Sequence, residues 1–226
     1  MLNIAIDGHV ASGKSSVAKG IAKKLGIKVL DTGAIYRGLA CAYKEMGLGD
    51  VSLPNIELFI ERVNVSVVFQ EDGQHVIING KDYTSFLRLE ETSSLSSQIS
   101  PFPILREKVM LIQREFAKAN DCVMEGRDIG TDVLPNADVK FFVTASEEVR
   151  AARRFAQVKE SGSVTFQQVL ADLKARDYKD ENRKVAPLRP AKDSIIIDSG
   201  EMTLEETIEK CIDLIKQRMN DRAKSL

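Results

Sequence analysis

A glycine-rich stretch near the amino terminus carries the strongest chemical signal in the sequence. Residues 8–15 read GHVASGKS and match the phosphate-binding pattern GxxxxGK(S/T), between a predicted strand at residues 2–7 and a predicted helix at residues 14–25. The two glycines let backbone N–H groups approach a phosphate, Lys14 adds a full positive charge, and the Ser15 hydroxyl suits Mg²⁺. We therefore predict that a nucleoside triphosphate, ATP with its magnesium ion, binds here. The predicted ATP-binding residues are Gly8, His9, Val10, Ala11, Ser12, Gly13, Lys14, Ser15 and Ser16.

Arginine side chains recur at places where a second anionic substrate would need them. Arg37 follows the second predicted strand, and Arg127 follows a later one. Arg176 and Arg183 lie in a basic segment at residues 150–192, which contains eleven Lys or Arg and only five Asp or Glu. Two phosphate groups that exchange a phosphoryl group repel each other unless fixed cations lie between them, and guanidinium groups bind phosphate bidentately. The pattern favours a phosphotransferase, although a solvated helix face of mixed charge would have a similar composition.

Two other classes of triphosphate-binding protein fit the sequence less well. A guanine-specific switch would carry the motif NKxD, whereas residues 79–82 read NGKD, with the wrong spacing. A motor ATPase would end a second apolar strand in Asp, whereas the strand at residues 122–124 runs into Glu125. The arginines beside that strand favour a second, anionic substrate instead.

The predicted elements that would position these residues alternate between strand and helix. Apolar strands at about residues 2–7, 28–30, 122–125, 139–143 and 194–198 are separated by amphipathic helices, which predicts an α/β fold. Between Val65 and Ile78 the period changes to two, with turn signals at Asp72-Gly73 and Asn79-Gly80. This part predicts a small antiparallel sheet inserted into the parallel one.

Four sequence blocks together resemble the bacterial cytidylate (CMP) kinases. They are the phosphate-binding loop, DTGAIYR at residues 31–37, EGRDIGT at 125–131 and RDYKDENRKVAPL at 176–188. The resemblance implies a P-loop nucleoside monophosphate kinase fold, with a parallel sheet flanked by helices, a three-stranded antiparallel insert and a helical lid. It places a single kinase unit over residues 1–226, with its core at 1–49, 99–152 and 190–226, a monophosphate-binding subdomain at about 50–98, and the lid at about 153–189.

The same resemblance implies roles for individual residues. Arg37, Arg127 and Arg183 would hold the CMP phosphate, and Asp180 with Arg176 would reach the ribose and the transferred phosphoryl group. The implied CMP-binding set is Thr32, Arg37, Ser97, Arg106, Arg127, Asp128, Asp180 and Arg183, and the implied catalytic set is Lys14, Arg127, Arg176 and Arg183, with Ser15 on Mg²⁺. Ser97, Arg106 and Asp128 would read cytosine, whose N4 amino group donates to a carboxylate. Simpler roles remain open: Asp128 could pair with Arg127, Ser97 could cap a helix, and Arg106 could lie on a solvated helix face. His9, where the family usually has Pro, and Glu125, where Asp is more usual, depart from the pattern.

The predicted reaction is MgATP plus CMP, or dCMP, giving ADP plus CDP or dCDP. Two alternatives remain: a kinase for another small acceptor such as UMP, or a regulatory module that binds nucleotides without turnover. A net charge of −1 over 226 residues argues against a nucleic-acid partner, and no apolar run reaches the roughly 20 residues of a membrane span. Three dispersed cysteines and two histidines argue against a disulfide framework or a soft-ligand metal site. We expect a monomeric cytoplasmic protein.

Overall fold

A computed structural model describes residues 1–87, 89–159 and 164–224 and divides the chain into two compact units. The first unit comprises Met1–Val29 with Asn120–Leu226, and the second comprises Leu30–Ala119. The predicted monophosphate-binding subdomain, about residues 50–98, lies within the second unit. The predicted lid, about residues 153–189, includes residues 160–163, which lie outside the described residues.

The strands of the first unit belong to a five-stranded sheet in the order β2-β6-β1-β7-β8, of which β6, β1, β7 and β8 lie wholly within the unit. Strand β1 pairs in parallel with β6 and with β7, and β7 pairs in parallel with β8. These strands read as nearly continuous apolar runs because both faces of the sheet are buried, which confirms the predicted parallel core. The strands are β1 (Asn3–Gly8), β2 (Lys28–Asp31), β6 (Cys122–Gly126), β7 (Val139–Thr144) and β8 (Ile195–Asp198). The helices are α1 (Lys14–Leu25), α6 (Glu147–Val158), α7 (Phe166–Asn182) and α8 (Leu204–Lys224), with a π-helical turn at Ile129–Val133.

Helix α1 covers the sheet together with α8. Its buried residues Val17 and Ile21 join Ile212 and Ile215 of α8 in one apolar cluster with β1, β6 and β7. Gly20 permits this packing, since a Cβ there would lie 2.1 Å from a methyl carbon of Ile208. This packing holds α1 against the sheet, and the amino-terminal end of the helix directly follows the glycines of the phosphate-binding pattern.

The second unit carries the predicted antiparallel insert. Its three-stranded sheet has the order β3-β4-β5, and Val65 to Gln70 pair in antiparallel register with Ile78 to Gly73. The apolar residues at alternate positions, such as Val76 and Ile78, are buried, as the period of two predicts. The elements are α2 (Thr32–Glu45), α3 (Leu53–Arg62), β3 (Val65–Gln70), β4 (Gly73–Ile78), β5 (Lys81–Asp82), a 3-10 turn at Thr84–Phe86, α4 (Glu90–Ile99) and α5 (Pro103–Ala119).

A charged cluster on this small sheet predicts a pH dependence of stability. His75 contacts Asp72 through Nε2 and Asp82 through Nδ1, each at 2.7 Å, and so ties the β3–β4 turn to β5. Asp72 and Asp82 raise the pKa of His75 above its usual value, while the Thr84 hydroxyl and amide, with His75, lower the pKa of Asp82 to about 2. The His75 ion pairs stabilise the fold fully below the pKa of about 6.5 that histidine has in the unfolded chain. This stabilisation is lost as the pH rises through the higher pKa of His75 in the folded protein.

We therefore expect His75→Gln to cost most stability in mildly acidic solution. The difference in unfolding free energy between wild type and variant should be larger at about pH 5.5 than at about pH 9, as measured by urea denaturation at both values. An equal difference at the two pH values would show that the ion pairs do not contribute.

Over residues 1–87, 89–159 and 164–224, every helix is either too short or too polar to cross a lipid bilayer.

Candidate active site

The phosphate-binding pattern forms a tight loop between β1 and α1. Gly8 has φ 155°, and a Cβ there would lie 2.1 Å from the carbonyl oxygen of Val143 on the neighbouring strand. Gly13, at φ 88°, is the N-cap residue directly before α1, and Ala11 also has a positive φ of 59°. The first amides of a helix have no helical acceptors, so this loop presents N–H donors together with the positive end of the α1 dipole. The predicted strand–loop–helix context is confirmed.

Two side chains with oxygen atoms that could ligate a metal ion contact each other at the start of α1. The Ser15 hydroxyl donates to Oε2 of Glu125 at 2.6 Å, and Glu125 is only 2% exposed at the carboxyl end of β6. Glu125 lies opposite Ile6 in the register of β1 and β6, which places its carboxylate next to the phosphate-binding loop. Hydroxyl and carboxylate oxygens are hard ligands of the kind that Mg²⁺ prefers. Within the described part of the chain, no three His, Cys, Asp or Glu side chains form a group that could hold a metal ion by themselves.

Arginines of α6 support the back of the loop. Arg150 donates to the carbonyl of Val10 at 3.4 Å, and Arg153 donates to the carbonyl of Ser12 at 3.3 Å. Arg153 also binds Ser199, whose hydroxyl donates to the Ser12 carbonyl at 2.9 Å. The carbonyls of Val10 and Ser12 thereby have hydrogen-bond donors, and the amides of the same peptide units keep their orientation. In the sequence, these arginines belong only to the basic segment at residues 150–192, and their role behind the loop could not be predicted, because the motif gives no information about its long-range partners.

A cluster of opposite charges links the segment after β6 to α7. Arg127 Nε contacts Asp180 Oδ2 at 2.9 Å, and Arg183 Nη2 contacts Asp128 Oδ1 at 3.4 Å. Burial alone would raise the pKa of Asp180, but Arg127, Arg176 and Arg183 outweigh it and lower that pKa. The structure therefore brings together five of the predicted residues: three arginines and two carboxylates at the carboxyl end of β6.

Helix α7 is held in the first unit by its own buried ion pair. Arg150 Nη1 contacts Asp177 Oδ2 at 2.5 Å, and both side chains are less than a tenth exposed. A capping box begins α7, with the Thr165 hydroxyl accepting from the Gln168 amide and the Gln168 side chain accepting from the Thr165 amide. Near its end, Glu181 contacts His9 of the phosphate-binding loop at 2.7 Å. The unusual His9 therefore links the loop to the predicted lid.

The remaining predicted residues lie in the second unit. Thr32 is buried at the start of α2, which Asp31 caps by accepting from the Ala34 amide, and Arg37 contacts Asp31 at 2.9 Å. Ser97 lies in the last turns of α4 and donates to the Ser93 carbonyl at 3.1 Å.

Arg106 of α5 is only 4% exposed. Its guanidinium lies over the Tyr36 ring, 5.8 Å from the centroid, and donates to the Ser100 carbonyl. The alternative that Arg106 lies on a solvated helix face is therefore wrong. The alternative that Ser97 caps a helix is also wrong, because Ser97 lies inside α4.

Comparison with known proteins identifies the family. The family model described as Cytidylate kinase matches residues 4–217. This chain belongs to the cytidylate kinase family. It is 43% identical over 217 residues to the cytidylate kinase of Thermotoga neapolitana, with 96% of this chain and 97% of that protein aligned. It is 39% identical over 217 residues to the cytidylate kinase of Clostridium botulinum, strain Langeland, with 96% and 98% aligned.

Solved structures of lower sequence similarity share the fold of this cytidylate kinase family member. An uncharacterized protein from Eubacterium ventriosum has a TM-score of 0.54 at 14% identity, over 96% of this chain and 99% of that one. A gluconokinase from Sinorhizobium meliloti has a TM-score of 0.50 at 15% identity, over 100% and 98%. At such identities the likeness concerns the fold alone.

Proposed function

We propose that the protein transfers the γ-phosphoryl group of MgATP to CMP or dCMP, giving ADP and CDP or dCDP. The observation that carries the proposal is the cluster of Arg127, Arg176, Arg183, Asp128 and Asp180. It lies at the carboxyl end of β6, the strand that pairs with β1 immediately before the phosphate-binding loop. Relatives named cytidylate kinase align over nearly the whole chain and support CMP as the acceptor.

The proposal assigns ATP to the loop at residues 8–16. Backbone amides and Lys14 would bind the phosphates, and Lys14 would follow the charge that develops on the transferred group. Because the loop carbonyls are held by Arg150 and Arg153, these donors are oriented before the substrate arrives. Preorganised donors of this kind stabilise the transition state without a further cost of reorganisation.

The Ser15 and Glu125 pair fits a magnesium ion that arrives with ATP. Both groups offer oxygen atoms, and their separation of 2.6 Å places them at one position beside the loop. Ser15 would ligate the ion directly, while Glu125 would orient Ser15 or a water molecule on the ion. When bound, magnesium would neutralise part of the charge on the ATP phosphates.

The proposal assigns the acceptor to arginines and to base-reading groups. Arg37, Arg127 and Arg183 would bind the CMP phosphate, while Arg176 and Asp180 would reach the transferred group and the ribose. The residues that would complete the CMP contacts are Thr32, Ser97, Arg106 and Asp128. Transfer would be direct, because phosphoryl transfer needs positioning and charge stabilisation and no covalent enzyme intermediate.

A panel of nucleoside monophosphates tests this assignment. ADP release from MgATP should be fastest with CMP and dCMP and much slower with UMP, AMP and GMP. ADP release that is equally fast with and without a nucleoside monophosphate would indicate that the protein is an ATPase. Binding of ATP and CMP without ADP release would indicate the regulatory alternative.

Replacing Asp128 with Asn should weaken the preference for CMP over UMP. A carboxylate accepts from the cytosine amino group and repels the uracil carbonyl, whereas an amide can donate to that carbonyl. We expect a change of roughly 1–3 kcal/mol in the ratio of kcat/KM values, the scale of one base-edge contact. Asp172→Asn, at an exposed carboxylate of α7, is the matched control, and an unchanged ratio in Asp128→Asn would exclude base reading by Asp128.

A further inference from the structure

Asp7 is a buried carboxyl group to which the mechanism above gives no role. It lies in β1 directly before Gly8 and is only 3% exposed. Its Oδ1 accepts from the Ile129 amide and its Oδ2 accepts from the Gly130 amide, each at 2.8 Å. Both oxygens therefore bind the main chain of one short segment, and neither of these bonds is made to the phosphate-binding loop.

The two amides that Asp7 binds follow directly after Asp128. On the other side of the same peptide unit, the Asp128 carbonyl accepts from the amides of Asp132 and Val133, at 2.9 and 3.1 Å, and so forms the π-helical turn. The main chain at Asp128 is consequently fixed by Asp7 and by this turn. Gly130 fits closely against the carboxylate, since a Cβ there would lie 3.4 Å from Asp7 Oδ2 and 3.1 Å from Lys140 Cδ.

The electrostatic surroundings of Asp7 make its burial costly. Burial, with a smaller contribution from the charge of Asp128, raises the pKa of Asp7 to about 7, against the opposing effects of the Gly130 and Ile129 amides and the charge of Arg127. An unpaired carboxylate in such a place is unfavourable unless its hydrogen bonds compensate. A buried group with a perturbed pKa and a specific charged neighbour is a candidate for a functional role.

We propose that Asp7 is a positioning residue that sets the orientation of Asp128 and thereby the preference of the enzyme for cytosine over uracil. This inference rests on the proposed function, because it requires Asp128 to contact the base. The side chain of Asp128 is directed by the backbone torsions of its own residue, and the two bonds from Asp7 constrain the peptide that follows it. A shift of a few tenths of an ångström there would move the Asp128 carboxylate away from a short base contact.

The Asp7→Asn variant tests this role. In Asn one of the two acceptor positions becomes an NH₂ group, which would face a main-chain N–H donor, so the turn must shift. We expect the CMP/UMP ratio of kcat/KM to fall about tenfold, with a raised KM for CMP and a KM for MgATP changed less than about twofold. A merely structural role would lower the thermal stability and leave the ratio unchanged.

Asp138→Asn is the matched control. Its Oδ2 accepts from the Asn3 amide at 2.8 Å, at the other end of β1, so the variant also loses a carboxylate that binds main chain. The CMP/UMP ratio should stay within about twofold in this variant. An equal fall of the ratio in both variants, or an unchanged ratio in Asp7→Asn, would overturn the proposal.

The pH dependence of wild-type selectivity keeps the proposal testable if Asp7→Asn does not fold. The second phosphate ionisation, near about pH 6, is common to CMP and UMP and cancels in the ratio. Protonation of Asp7 replaces one acceptor by an O–H donor, so the ratio should rise about threefold or more from about pH 6 to about pH 8. A flat ratio would overturn the proposal.

These measurements separate the inference from the proposed function. A wild-type protein that does not phosphorylate CMP would contradict both. A wild-type protein that prefers CMP, together with a pH-independent ratio or an unaffected Asp7→Asn variant, would overturn the inference alone.

Discussion

Replacing Lys14 with Ala should lower kcat for MgATP and CMP by about a thousandfold while the protein remains folded. Lys14 stands at the first position of α1, after Gly13, where its ammonium group would follow the charge on the transferred phosphoryl group. The loss of one preorganised donor to a developing negative charge costs about 10²–10³ in rate in other enzymes, and a partly exposed side chain in the first turn of a helix contributes little to the core. Coupled ADP release gives the rate, and a thermal unfolding curve confirms the fold.

Lys19→Ala is the matched control for this experiment. Lys19 lies in the same helix and is exposed, so the variant removes one positive charge without touching the loop. Its kcat should stay within about twofold of wild type. Turnover in a folded Lys14→Ala protein that approaches the Lys19→Ala rate would contradict the assignment of the phosphate-binding loop.

Replacing Arg183 with Ala should reduce kcat about a hundredfold and leave the dissociation constant of ATP nearly unchanged. Arg183 contacts Asp128 at 3.4 Å and helps to lower the pKa of Asp180. In the proposed reaction it would bind the CMP phosphate where the phosphoryl group arrives and would not contact ATP alone, so its contribution would be realised mainly in the transition state. Steady-state kinetics for CMP and fluorescence titration with an ATP analogue measure the two quantities separately.

Arg189 provides the comparison for Arg183. It belongs to the same basic segment but is exposed, and Arg189→Ala should change kcat by less than about twofold. If Arg183→Ala behaves like Arg189→Ala, then Arg183 has no role in the transfer. If it weakens ATP binding as much as it lowers kcat, then Arg183 acts in the ground state.

Local sequence patterns predicted most of the elements, because the forces that define them act over a few residues. The helix α1 ends where Gly26 adopts a φ of 67°, and the capping box of Thr165 and Gln168 begins α7. The change from a helical period to a period of two predicted the sheet of the second unit. In each case, the residues that determine the conformation are close together in the chain.

The partners inside the candidate site could not be predicted in the same way. The Asp7 contacts with Ile129 and Gly130, the Ser15 contact with Glu125, and the Arg153 contact with Ser12 each join residues more than a hundred positions apart. Their geometry depends on the strand order β2-β6-β1-β7-β8, which no periodicity in the sequence specifies. The motifs indicate which residues can bind phosphate, while the fold determines which groups orient them.

The most direct test of phosphoryl transfer to CMP is to follow the phosphorus-containing products of the wild-type protein by ³¹P NMR, with MgATP and CMP as the only substrates. Direct transfer predicts that ADP and CDP appear in equal amounts, with little inorganic phosphate. Omission of CMP should leave ATP essentially unchanged. Formation of inorganic phosphate in place of CDP, or no consumption of ATP in the presence of CMP, would contradict the proposed phosphotransferase.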